Sequence, residues 1–156
     1  MPTQNTVQTL VDNRYSDLIV AEEFLGGGIP YSRDWVTVNN AAGGTYKAGT
    51  LVFRAKGSDA TVKWDIVDAA GDINVANEYG ILIGDDIVIK DDIVLAAGVD
   101  KKVIAVTRYA VFKDAYVRAI YTAAPYSLSE ANVNSLVRLL ATQGVLAIEQ
   151  MTKITA

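Results

Sequence analysis

The chain has neither cysteine nor histidine among its 156 residues. Without cysteine there are no disulfides, no thiolate metal sites and no thiol nucleophile. Without histidine the commonest general base and transition-metal ligand is gone, which excludes Ser-His catalysis and ordinary zinc sites. Charge is modest, with 14 basic and 18 acidic side chains and a net charge of −4. That balance argues against a surface built for phosphate backbones, so no nucleic acid is expected as a partner. No apolar run approaches the roughly 20 residues of a membrane helix, and no membrane association is expected. Residues Met1 to Thr6 lack the basic start and apolar centre of a signal peptide, so the protein is expected to be made in the cytoplasm.

What is present is β structure. Hydrophobic residues at 51% and charged residues at 21% describe a globular chain long enough for one sizeable core. Tyr79 to Phe112 is the stretch richest in β-branched residues, with Gly and Asp clusters between its apolar runs. Gly80-Ile-Leu-Ile83, Ile87-Val-Ile89 and Ile93-Val-Leu95 read as short strands. Val103 to Phe112 reads as the longest. Upstream, Trp35 and Thr37 alternate with Val36 and Val38, the period of a half-buried strand. Thr50 to Phe53 and Ala60 to Asp65 give two more candidates, joined by Gly- and Asn-rich turns.

One helix stands out. Ser127 and Glu130 have the spacing of a capping box, and Val133, Leu136, Val137 and Leu140 follow at i, i+3, i+4 and i+7. Gly144 suits the left-handed position that ends a helix, and Val145 to Ile148 reads as a closing strand. The expected class is mainly β with one α-helix, arranged as a small barrel after an extended N-terminal arm.

The arm is residues 1–30, and the domain proper is residues 31–156. The arm is polar at first and ends in three glycines, Gly26 to Gly28, before Pro30. Its apolar points are Leu18, Ile19 and Val20, then Phe24 and Leu25, and these five are the candidate docking residues. The alternative is an ordinary N-terminal strand pair packed on its own domain.

Other motifs carry less. Asp85/Asp86 and Asp91/Asp92 lack the DxDxDG spacing of a calcium loop and read as solvated strand ends. A carboxylate-only hydrolase has no spacing test in sequence. Gly26-Gly-Gly28 lacks the GxxxxGK[ST] pattern of a phosphate loop. Arg54, Lys56 and Lys63 beside Phe53 and Trp64 imitate a nucleic-acid platform, but Asp59 and Asp65 are interspersed. No cofactor, metal or catalytic residue is assigned.

The order of segments resembles one family. Tyr31-Ser-Arg-Asp-Trp-Val-Thr-Val38 is similar to the "YSR-x-x-VTV" entry of tailed-phage head decoration proteins, the lambda-type capsid-stabilising family. Lys47-Ala-Gly-Thr-Leu-Val52 resembles its "AAGTVLG" strand, and Gly80-Ile-Leu-Ile83 with Asp85-Asp86 its "GIL-x-x-D-V" segment. Val103 to Val111 resembles "VLVRGAVV", with Tyr109 standing where the family usually has glycine. A helix ending at Gly144-Val145 resembles "L-x-x-x-GI". The likeness runs over roughly residues 31–148. It implies a β-tulip-like domain and a structural virion protein, not an enzyme. Such a capsid cement protein binds the major capsid protein as a homotrimer at three-fold and quasi-three-fold positions on the outer surface of the expanded head. There it stabilises the shell against DNA pressure. The runner-up is a β-barrel binding module for carbohydrate or peptide.

Overall fold

The computed structural model describes residues 18–22, 24–25, 29–30, 32–85 and 89–148. Strand β8 (Asn77–Asp85) runs through its middle, buried at every position from Tyr79 to Asp85. A strand sends successive side chains to opposite faces, so such a run needs cover on both sides. Tyr79, Ile81 and Ile83 enter one core cluster, and Leu82 enters another. β8 is the centre of a five-stranded antiparallel sheet in the order β4 (Arg33–Val38), β10 (Lys101–Val106), β8, β6 (Leu51–Ala55), β7 (Asp65–Ile66). Gly80 permits a close approach inside it. A Cβ there would come within 3.1 Å of the Ala105 Cβ and 3.3 Å of the Val52 Cγ2.

The first core is closed by two helices, α1 (Asp114–Thr122) and α2 (Glu130–Thr142), and by a small sheet. That sheet is β1 (Ile19–Glu22), β11 (Ala110–Phe112) and β12 (Val145–Ala147), with β11 central. β1 runs antiparallel to β11 and β12 parallel to it. The second core lies on the opposite face, where Val36, Val38, Trp64, Ile66, Val103 and Leu95 are buried. The hairpin-like pair β5 (Gly44–Tyr46) and β9 (Ile93–Leu95) covers part of it. A second short pair, β2 (Phe24–Leu25) with β3 (Ile29–Pro30), precedes the main sheet.

The protein is mainly β, as the strand pattern implies, but its described sheets do not close into a barrel and it has two helices where one is expected. The five-stranded sheet curls instead. Val38 and Trp64 form a parallel bridge, with Trp64 N–H donating to Thr37 O and Asn39 N–H donating to Trp64 O, both at 2.9 Å. This single bridge links the two ends of the sheet. Most of the expected Ala60–Asp65 strand is turn, and only its last residues pair.

The missed helix follows from how the chain leaves the sheet. Val103 to Phe112 is two strands, not one, because the backbone turns at Tyr109, where φ is +46°. β10 therefore lies in the large sheet and β11 in the small one. Immediately afterwards α1 buries Val117 and Tyr121 at an i, i+4 spacing, and Arg118 pairs with Asp114 one turn earlier at 2.7 Å. The second helix is capped two residues later than its sequence suggests. Ser129 accepts from Asn132 N–H at 3.2 Å, whereas Ser127 has φ +47° in the preceding link. Its stripe is as expected, with Val133, Leu136 and Leu140 fully buried and Gly144 in the left-handed region at φ +78°.

One side chain joins helix to sheet. Gln143, at the C-cap of α2, accepts from Tyr79 N–H at 2.7 Å and donates to Tyr79 O at 2.7 Å and Thr107 O at 2.9 Å. Its amide takes the place of a neighbouring strand at the start of β8. Replacing Gln143 with alanine leaves these backbone groups without their partner, at a cost of about 1–3 kcal/mol. Urea unfolding should show a lower midpoint with an unchanged slope. An unchanged midpoint would mean that water replaces the amide without loss.

Candidate binding surfaces

The five candidate docking residues divide into three groups. Leu18 and Ile19 are buried in the first core, at 0% and 6% exposure, beside Phe112 and Val117. Lys113 N–H donates to Leu18 O at 2.8 Å, and Ile19 is registered with Phe112. This corrects the expectation that they are anchors for a partner. They complete the domain's own interior, as the alternative strand-pair reading has it, so the domain begins before residue 31. The cause is geometric, since β11 has a free edge once the chain crosses to the small sheet, and β1 fills it. Val20, by contrast, is 44% exposed. Phe24 and Leu25 form β2 and pair with β3, and their side chains lie outside the described residues.

Ion pairs hold this N-terminal strand against the main sheet. Glu22 accepts from Ser32 Oγ and from Arg33, whose Nη2 is 2.9 Å away. The Glu22 carboxylate is nearly buried, at 5% side-chain exposure, and so needs such partners. A neighbouring knot joins Asp34 to Arg108 and to Thr107 Oγ1. Together they fix the entry of β4 beside the turn between β10 and β11.

The outer face of the small sheet is apolar. Val111 stands in register with Leu146 on one side and Ala21 on the other. Leu146 is 50% exposed, and Ala21 is exposed as well. With Val20 beside them, they form a row of small and aliphatic side chains across three strands. Sequence reading found Val20 but not Leu146, because the pairing of β12 with β11 is not visible in either segment alone.

The acidic pairs are used differently from the expectation. Asp85 is not a solvated strand end; it is buried at 4% and paired with Lys90 and, at 3.8 Å, with Lys101. Asp91 Oδ1 accepts from Ala48 N–H at 3.2 Å. Asp86 lies outside the described residues. Among the described residues no group of three acidic side chains is placed to hold a metal. The basic residues near Trp64 are also engaged: Arg54 lies over the Trp64 ring at 4.7 Å and pairs with Glu78, and Lys63 pairs with Asp100.

A cleft opens elsewhere, between the β5 turn and the end of α1, with Tyr46, Asp68 and Tyr126 in its lining. Sequence reading did not single it out, because its walls come from segments as far apart as Gly43 and Tyr126. Comparison with protein-family models, with curated proteins and with solved structures returns no match to this chain.

Buried tyrosines give the fold a pH limit. Tyr121 points from α1 into the core and is fully buried, with its hydroxyl accepting from Leu51 N–H at 2.8 Å. Burial pushes its pKa well above the ordinary 10.0, and Tyr46, Tyr79 and Tyr126 shift upward for the same leading cause. Because the folded pKa is raised, the stabilisation is whole below the unfolded value and is lost as pH rises beyond it. Thermal stability should therefore begin to fall as pH rises through about 10, where an unfolded tyrosine ionises, and keep falling towards the raised folded values. Tyr121→Phe should be less stable at neutral pH, since Leu51 N–H loses its acceptor, yet should show a shallower alkaline decline. Parallel declines for the two proteins would contradict this assignment.

Proposed function

We propose that this protein is a capsid decoration protein. It binds the major capsid protein of a tailed-phage head as trimers at three-fold and quasi-three-fold positions, and stabilises the expanded shell by cementing neighbouring subunits. The observation that carries the reading is the backbone at Tyr109. The resembling family usually has glycine at this position, and Tyr109 holds φ +46°, a conformation that glycine adopts freely and other residues only rarely. The left-handed backbone at Tyr109 supports the reading, since it is the conformation that a glycine there would supply.

Further support comes from the small sheet. The N-terminal strand joins it at one edge and β12 forms the other, and Val20 and Leu146 leave an apolar surface between them. An exposed strand edge with apolar neighbours is suited to a partner that adds a strand or covers the face. With the β1 segment built into the core, the described N-terminal segment left for reaching a capsid subunit is the β2–β3 pair, and residues 1–17 of the expected arm lie outside the described residues. The role is mechanical and involves no cofactor or catalytic step.

The test is to purify heads of the virus that encodes this chain and count its copies by mass spectrometry and cryo-microscopy. The expected outcome is trimeric density at three-fold positions of expanded heads, with little on compact precursors. Linked contacts from three protomers gain about 10²–10⁴ in avidity only when their sites lie at reachable spacing, and expansion sets that spacing. Absence of the protein from purified heads would overturn the reading. Equal occupancy on both shells would remove the dependence on expansion.

A further inference from the structure

The cleft beside β5 has a volume of about 720 Å³. Pockets that hold small ligands span roughly 300–1,000 Å³. Tyr46 and Tyr126 supply aromatic wall, Ile120 an apolar patch, and Asp68 and Lys47 the charges. Both rings are held in place by the fold. The Tyr46 hydroxyl lies 3.1 Å from Gly43 O and 3.2 Å from Asn40 Oδ1. The Tyr126 ring packs on Tyr121 at 4.9 Å between centroids. Rings fixed in advance lower the cost of ordering a binding site.

The charge distribution selects what could enter. Asp68 lies near Asp65 and Asp72, and its pKa is raised by burial first and by those two carboxylates next. The Asp68 charge also reaches Tyr46 and Tyr126, so the acid and the rings share one space. Elsewhere Glu22, Asp34, Glu78, Asp85, Asp100 and Asp114 all have cationic partners. Among the described residues Asp65 and Asp72 instead accept from neutral donors, Asn40 Nδ2 and Ile66 N–H for the first and Asp68 and Ala69 N–H for the second. Among the described residues the lining carries one cation, Lys47, and one acid, Asp68, with Asp65 and Asp72 near Asp68 but outside the lining.

We propose that the cleft receives an arginine side chain of a partner protein, its guanidinium plane laid against the tyrosine rings and its N–H fork directed at Asp68. Guanidinium stacks on aromatic faces and binds carboxylate in a planar, two-point manner, which a lysine ammonium does not. A neutral sugar would use the rings but leave the acidic charge unanswered. An anion would be repelled by it. The proposal does not depend on the decoration reading, since it concerns a site complete within one chain.

The test uses the whole protein in solution and two probes, N-acetyl-arginine amide and the uncharged isostere N-acetyl-citrulline amide. Tyrosine ring signals are followed by NMR during titration. The arginine probe should shift the Tyr46 and Tyr126 signals with an affinity on the order of millimolar, as befits one side chain without its partner protein. The citrulline probe should bind about tenfold more weakly, the scale of a lost charge-assisted hydrogen bond. Asp68→Asn should erase that difference, and unchanged Tyr121 signals would show the variant folded. Lys47→Gln should tighten arginine binding by removing the competing cation, a gain that misfolding cannot produce. Equal binding of the two probes, no response from either ring, or weaker arginine binding in Lys47→Gln would each overturn the proposal.

Discussion

The two-sided burial of β8 is the constraint on which the other elements depend. A strand whose residues from Tyr79 to Asp85 are all buried demands cover above and below the sheet. The chain meets this demand by two different means. On the Tyr79, Ile81 and Ile83 face it lays down α1, α2 and the small sheet. On the Leu82 face the sheet curls over itself, with Trp64 bridged to Val38 and β9 alongside. Gly80 lets the strand neighbours of β8 lie close, and Gln143 fastens the helical layer to the strand by three hydrogen bonds.

The role of the N-terminal strand follows from the same constraint. β11 leaves the main sheet at Tyr109 and would expose one edge and the hydrophobic Phe112 beneath it. β1 covers both, placing Leu18 and Ile19 in the interior and Glu22 against Ser32 and Arg33. The segment that reads as a free arm in sequence is therefore divided at about residue 18. On the proposed decoration role, the strand that completes the core also carries Val20 and Ala21 of the exposed apolar row. The cleft between Tyr46 and Tyr126 draws on different elements, and its chemistry is that of recognising one cationic side chain.

The sequence made the strands of the large sheet legible wherever alternation or β-branched runs persisted, as in Arg33 to Val38 and Leu51 to Phe53. Helix α2 was equally clear, because its apolar stripe and Gly144 are local signals. Three features were not local. Helix α1 follows directly on β-rich sequence, and its short stripe of Val117 and Tyr121 was masked by that context. The break at Tyr109 needs a left-handed tyrosine, which no pattern announces. The burial of Leu18 and Ile19 depends on an edge created some 90 residues later in the chain. Asp85 was misjudged for a related reason, since its lysine partners come from Lys90 and Lys101, beyond the end of its own strand. The cleft was invisible because its carboxylate and two rings come from three separate segments.

The central structural claim is that residues 18–22 and β8 belong to one cooperative unit. Native-state hydrogen exchange measures this directly, residue by residue. The amides of β1 that pair with β11 should open with a free energy close to that of the β8 amides, and should lose protection together with them as denaturant is added. If β1 instead exchanged at low cost while β8 stayed fully protected, the strand would be an attached arm after all, and the account of the first core would be wrong.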